Sequence, residues 1–215
     1  MSNTTLILIR HGETAWNAER RLQGHIDIAL NEEGVRQAEA LAGALAHEKI
    51  DAVVSSDLSR AASTADAVAR LHGLPAAREP MLRERCYGGF EGLLYTEISQ
   101  RFPADFAAWQ ARDSDARMPA GIRVAESFRE FYQRCTSAII ALAAAHPGQT
   151  LALVAHGGVL ECAYRAALGM PLETPRNFAV MNASINRMTV KGDKFTLTGW
   201  GDVEHLAPKV LDELS

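Results

Sequence analysis

The apolar positions of this chain fall into two patterns, and their alternation sets the expected architecture. Leu6-Ile7-Leu8-Ile9, Ala52-Val53-Val54-Ser55 and Leu151-Ala152-Leu153-Val154-Ala155 are short apolar runs. They are too brief for helices, which predicts buried strands. Between them apolar residues recur every three or four positions. Val35, Ala38, Leu41, Ala42 and Leu45 predict one helix face, with Asn31 as its N-cap. Ala61, Ala65, Val68 and Leu71 predict a second, capped by Ser56 or Asp57 and ended by Gly73. A third holds Phe128, Phe131, Tyr132, Cys135, Ile139 and Leu142 and stops at Pro147-Gly148. A fourth, through Leu160, Tyr164 and Leu168, ends at Gly169 before Pro171. Strand then helix, repeated, is the order of a largely parallel sheet covered by helices, an α/β class. Residues 184–190 and 195–200 predict a hairpin joined through Lys191-Gly192-Asp193-Lys194. The tail from Asp202 is polar and is expected on the surface.

The middle breaks this rhythm. Leu82-Arg83-Glu84 follows a possible short strand, and Gly88, Gly89 and Gly92 punctuate what comes next. A short helical turn is also expected over 16–21, and two short helices, over 96–101 and 104–112, flank Pro103. Residues 113–123 read as a loop. The stretch 85–123 is therefore read as an insertion over one end of the sheet, inside a single domain spanning 1–215.

Composition narrows the partners. A chain of 215 residues has ample length for a real core. A net charge of -4 supplies no basic field for nucleic acid or an anionic membrane, although arginines gathered locally can still form a positive pocket. Cys86, Cys135 and Cys162 are scattered, with no disulfide framework and no zinc-ligand spacing, so no metal is expected. No run approaches the roughly 18–20 apolar residues that span a bilayer, and Arg10 interrupts the first run too soon for a signal peptide. A cytoplasmic setting is expected.

Two of the buried runs end on a histidine followed by glycine, at Arg10-His11-Gly12 and His156-Gly157-Gly158. One histidine after a strand is most often a packed or surface residue. The repeat, with Arg10 beside the first, points to a site at the carboxyl edge of the sheet. His25, His47, His72, His146 and His205 stand in loops or polar contexts and are read as bystanders. An imidazole can attack phosphorus and hold the phosphoryl group covalently. That route needs cations in place, and arginine's planar fork matches phosphate oxygens. Arg10 abuts His11, and Arg60 starts the helix after the second strand, whose N-terminal amides could add donors. Glu84 is the candidate to protonate the leaving oxygen and later deprotonate water. From spacing alone, a salt-bridged structural Glu84 fits equally well.

These residues carry a family resemblance. Arg10-His11-Gly12-Glu13-Thr14 with Trp16-Asn17 resembles the signature of the histidine phosphatase superfamily, which includes the cofactor-dependent phosphoglycerate mutases. The match continues through Gln23-Gly24, 30–34, 55–61, Leu82-Arg83-Glu84 and His156-Gly157-Gly158, covering nearly the whole chain. The resemblance implies a mixed, mostly parallel central sheet flanked by helices, phosphoglycerate mutase-like, with a small helical cap insertion at 85–123. It implies His11 as the phosphorylated nucleophile, and Arg10, Arg60 and His156 as the rest of the phosphate pocket. Glu84 takes the proton-donor position. Asn17 and the backbone at Gly157 match positions that hold phosphate, while Thr14, Gln23 and Gly24 fall in the loop lining it. The family needs no metal.

The family contains mutases and phosphatases. The mutases follow their Glu-Arg-x-Tyr-Gly run with a lysine, and later place an arginine pair after a tryptophan. Here Glu84-Arg85-Cys86-Tyr87-Gly88 keeps the run, but Tyr95 stands at the lysine and Gln110-Ala111 follow Trp109. Arg112 and Arg117 could substitute only from a different geometry. The run Gly88-Gly89-Phe90-Glu91-Gly92, with 95–98 and Arg101-Phe102-Pro103, is more similar to the phosphatase branch. Phe90, Tyr95 and Trp109 either wall a site for an organic leaving group or simply pack the cap. Ala125-Glu126-Ser127 departs from the family, where glycine usually precedes Glu-Ser. The expected activity is hydrolysis of a small phosphorylated metabolite through a phosphohistidine. The alternative is phosphoglycerate mutase activity with a 2,3-bisphosphoglycerate primer, and a third reading is a non-catalytic phospholigand-binding module. No nucleic-acid or membrane partner is expected, and the sequence does not indicate an oligomeric state.

Overall fold

The computed structural model describes residues 2–206. Its centre is β1 (Thr4–Arg10), whose alternating side chains feed two separate cores. Leu6 and Leu8 face α6 (Phe128–Ala145) and α7 (Gly157–Leu168). Ile7 and Ile9 face α2 (Glu32–Leu45) and α3 (Ser59–His72). All four are at most 1% exposed. Each contributes about 1.5–3 kcal/mol through burial.

Around β1 the six strands run in the order β3-β2-β4-β1-β5-β6. Here β2 is Ala52–Ser55, β3 Ala76–Arg78, β4 Thr150–Ala155, β5 Ile185–Lys191 and β6 Lys194–Asp202. The first four are mutually parallel, while β5 is antiparallel to β1 and to β6. The sheet is therefore mixed, mostly parallel and covered by helices on both faces. The carboxyl ends of β2, β4 and β1 share one edge, where both histidine junctions lie.

Local chemistry explains most element boundaries, and corrects a few expectations. Asn31 caps α2 by accepting the Gly34 amide hydrogen at 2.7 Å. Val35 is 52% exposed rather than on the buried face, because Gly34 beside it packs against the Gly12–Glu13 backbone. Leu71 is also half exposed, near the end of α3. Neither Ser56 nor Asp57 caps α3, whose N-cap is Leu58. Asp57 instead takes the guanidinium fork of Arg83 at 2.7 and 2.6 Å, a stronger use of a carboxylate. Asp27 replaces it at the helix start, accepting from the Ser59 amide and hydroxyl. Gly73 and Gly169 end α3 and α7 in the left-handed conformation.

Residues 86–125 form a third packing unit. A 3-10 turn at Gly88–Phe90 leads to α4 (Tyr95–Arg101) and α5 (Pro103–Gln110), with Pro103 at the first turn of α5. Phe90, Ile98, Met118 and Ala125, with Leu22 from outside the segment, form its core. Among the described residues no helix is long and apolar enough to cross a membrane. In the polar tail, Glu204–Leu206 form a 3-10 turn. The rest of that tail lies outside the described residues.

Candidate active site

Strand register brings the two histidines together. In the β1–β4 ladder Arg10 pairs with Ala155, and the His11 amide donates to the Ala155 carbonyl at 3.0 Å. The next side chains, His11 and His156, then stand with ring centroids 5.1 Å apart. Both are buried. Nδ1 of His11 lies 2.7 Å from the Gly12 carbonyl oxygen. A carbonyl only accepts, so Nδ1 carries the hydrogen and Nε2 presents a lone pair. Gly12 is required at this turn because a Cβ would run into the Gly34 carbonyl. Burial, then the charges of Arg60 and Arg10, hold the His11 pKa well below its ordinary value. Burial, Arg60 and His11 do the same to His156. Both imidazoles are neutral near pH 7.

The arginines are anchored by backbone oxygens. Arg10 Nη1 donates to Val180 at 2.6 Å. Arg60 spans two carbonyls, donating from Nη1 to Ile26 at 3.0 Å and from Nη2 to Gly24 at 2.8 Å. Gly24 reaches that position with φ +54, against the Glu91 carboxylate, so a side chain there would be strained and crowded. Burial lowers the Arg60 pKa to about 10, which still leaves it cationic. Among the described residues, the buried polar side-chain atoms without a hydrogen-bond partner include Arg10 Nε, Arg60 Nε, Gln23 Oε1 and both His156 ring nitrogens. Buried polar atoms are rarely left so, and the donors among them, Arg10 Nε, Arg60 Nε and the protonated ring nitrogen of His156, suit an anion's oxygens, while Gln23 Oε1 can only accept.

Glu84 approaches from the other side. Its Oε1 accepts the Arg85 amide hydrogen at 2.8 Å, and its Oε2 that of Gly158 at 3.0 Å. A Cβ on Gly158 would strike Glu84 Oε1 and lie 2.8 Å from the Phe131 ring. The Glu84 carbonyl accepts from His25 Nε2 at 2.8 Å and Arg134 Nη2 at 3.1 Å. Arg134 also grips the Met81 and Arg83 carbonyls and pairs with Glu126, which takes the Cys86 amide. His25 is thus no bystander, since it holds the segment that carries the candidate acid. Its position directly after Gln23-Gly24 was the one available signal. Nothing in the helical spacing singled out Arg134.

Thr14 caps the helix that follows the His11 loop, α1 (Ala15–Ala18). It is fully buried and donates its hydroxyl to Asn17 Oδ1 at 3.1 Å. Asn17 Oδ1 also accepts from Asn182, whose Nδ2 holds the His11 carbonyl at 3.0 Å. The Asn17 amide nitrogen is the end that remains for an anion. Asn182 lies in a loop with no sequence signature and was not foreseen. Gly157 opens α7, so its amide has no partner within its own helix. The first turn of α3 differs, because the Ser59 amide is taken by Asp27.

A cavity of about 480 Å³ meets this cluster at Gly158. Tyr87, Tyr95 and Trp109 line one side, and Arg112, Glu161 and Arg176 are also in its wall. Phe90 is not in the wall, because it is fully buried in the 86–125 core. Arg117 is also outside, bound to Glu130 and the Ala125 carbonyl. Arg112 does enter, locked to Glu161 at 2.5 Å. Among the described residues no three His, Cys, Asp or Glu side chains form a metal-binding group.

Comparison with known proteins agrees with this arrangement. A family model for the histidine phosphatase superfamily (branch 1) matches residues 6–203. An Arabidopsis thaliana protein named phosphoglycerate mutase-like protein 4 is 39% identical over 94% of this chain and 86% of its own length. Another from Arabidopsis thaliana, named metal-independent phosphoserine phosphatase, is 36% identical over 95% of this chain and 84% of its own. The solved structure of Bacillus stearothermophilus YhfR superimposes with a TM-score of 0.87 at 34% identity, covering 95% of this chain and all of that one.

Proposed function

The chain belongs to the histidine phosphatase superfamily (branch 1), and from that premise we propose that it hydrolyses small organic phosphate monoesters through a phosphohistidine on His11. The observation that carries this reading is the ring of unpartnered donors from Arg10, Arg60 and His156 around a neutral His11. The Glu84 carboxylate stands beside that ring.

The chemistry follows from the geometry. His11 Nε2 gives its lone pair to phosphorus as the phosphorus–oxygen bond to the organic group breaks. Charge accumulating on the phosphoryl oxygens meets the fixed guanidinium groups, which need no reorganisation at that moment. Protonated Glu84 delivers its proton to the departing oxygen and becomes a carboxylate. Water then enters, Glu84 takes one of its protons, and the new oxygen displaces His11 from phosphorus. Inorganic phosphate leaves and both residues return to their starting states. No step uses a metal, and the relative named a metal-independent phosphatase supports that part of the reading. Residues 85–123 act as the cap that selects the organic group.

A 4-nitrophenyl phosphate assay with His11→Ala and Glu84→Gln tests the scheme. His11→Ala is expected to lose turnover. Glu84→Gln is expected to slow alkyl phosphates far more than 4-nitrophenyl phosphate, whose leaving group needs little protonation. Full activity in His11→Ala ends the proposal. The phosphoglycerate mutase-like relative keeps isomerisation as a second reading. Interconversion of phosphoglycerates in the presence of the bisphosphorylated primer, without phosphate release, decides for it.

A further inference from the structure

The cavity beside the reactive cluster carries more cation than its own acids neutralise. Glu161, 8% exposed, stands at its wall. Its Oε1 accepts from Arg112 at 2.5 Å and from Arg165 Nε and Nη2 at 3.0 and 2.8 Å. Its Oε2 faces Arg176 at 3.7 Å, beyond hydrogen-bond reach. One carboxylate therefore faces three guanidinium groups. Arg165 is fully buried and also donates to the Pro171 and Thr174 carbonyls. Arg85, another wall residue, is committed to the Glu126 carbonyl. The Asp113 carboxylate turns back to its own loop, accepting from the Asp115 and Ala116 amides. Among the described residues, Arg176 makes no hydrogen bond through its guanidinium, and its side chain is 44% exposed. It is the one of the three guanidinium groups without a hydrogen-bonded partner.

The cavity also presents an aromatic wall. The Tyr95 and Trp109 rings stack with centroids 5.6 Å apart and planes within 16°, and Tyr95 is 45% exposed. Tyr87 leans on the same tryptophan at 5.9 Å. At about 480 Å³ the space lies within the ~300–1,000 Å³ of ordinary small-molecule sites. A three-carbon acid would leave much of it to water. Besides burial, the Arg176 charge helps to lower the Arg10 pKa, which ties the cavity to the phosphate end.

We propose that the phosphate ester this chain hydrolyses is that of a flat, ring-sized organic acid, its ring against the aromatic wall of Tyr95 and Trp109 and its carboxylate on Arg176. One uncommitted guanidinium balances one negative charge and offers two parallel donors, the match for a carboxylate. The assignment rests on the hydrolase reading for the transferred group, and adds what the leaving group must carry.

The test compares 4-carboxyphenyl phosphate with 4-carbamoylphenyl phosphate, which has the same shape and no charge. In the wild-type protein kcat/KM should favour the carboxylate by roughly ten- to a hundredfold, the size of one charge-assisted hydrogen-bonded contact. Arg176→Gln should collapse that ratio towards one, and Arg176→Lys should keep part of it. A ratio near one in the wild type, or a ratio unmoved in Arg176→Gln, overturns the assignment. Phosphoserine preferred over 4-carboxyphenyl phosphate overturns the ring. If the wild type hydrolyses 4-nitrophenyl phosphate but neither of these esters, the assignment is overturned, and if it hydrolyses none of the three, the hydrolase reading has failed. The same two esters titrated calorimetrically into His11→Ala then decide the carboxylate site, with equal affinities counting against it.

Discussion

Acidification should destabilise this fold through its own active site. His11 and His156 are buried and neutral, their basicity lowered by burial and by Arg60. In the unfolded chain each titrates near 6.5. Below that pH the unfolded state binds protons that the native state refuses, so stability falls as pH falls. Between about pH 7.5 and 5.5 a histidine kept neutral in the native state costs about 1.4 kcal/mol, and the pair about 2.7 kcal/mol. Urea denaturation at the two pH values measures this directly. Other titrating groups also contribute, so the informative quantity is the difference between wild type and His11→Gln/His156→Gln. The wild type should lose about 2.7 kcal/mol more than the double variant, and each single variant should recover about half of that. Equal losses in all four proteins would show that the imidazoles accept protons in the folded state. The neutral-nucleophile argument would then fall.

Three further outcomes follow from contacts around the site. Gly158→Ala should cost about 1–3 kcal/mol by overpacking against Phe131. It should also slow an alkyl phosphate more than an aryl phosphate, and equal slowing would mean that Glu84 is not displaced. Arg60→Lys cannot span the Gly24 and Ile26 carbonyls while facing an anion. The inhibition constant of inorganic phosphate should rise roughly tenfold to a hundredfold, and no rise would remove Arg60 from the pocket. Arg134→Gln strips the Met81, Arg83 and Glu84 carbonyls of a shared donor and leaves Glu126 unpaired. About 1–3 kcal/mol should be lost in urea, with part restored by adding Glu126→Gln. A change within experimental error would mean that Arg134 braces nothing.

The strands that deliver His11 and His156 were legible because fully buried strands need continuous apolar runs, and those runs end abruptly at charged or polar residues. Helix spans were legible for a similar reason, down to the glycines that end α3 and α7. The failures have a common cause. Asp57 and His25 sit where a local motif permits one hydrogen bond and a distant partner offers a better one. Arg83 draws Asp57 away from a cap, and the Glu84 carbonyl recruits His25 from 59 residues away. Spacing along the chain carries no trace of such long-range choices. Arg134, Asn182 and Arg176 were invisible for that reason too, since on a helix or in a loop each reads as an ordinary solvated side chain. The cap aromatics were ambiguous because Phe90 and Tyr95 obey the same local pattern, and only tertiary packing assigns one to the core and the other to the cavity.

The pairing of Arg10 with Ala155 means that the spacing of the two imidazoles is measured by a sheet ladder and not by loops. Adding or deleting one residue within β1 or β4 would turn one histidine to the opposite side of the sheet. Length changes elsewhere, in the cap or the hairpin turn at Gly192, leave that spacing alone. Variation in this chain therefore has a direction. Insertions can accumulate around the organic end of the substrate, while the two central strands must keep their count.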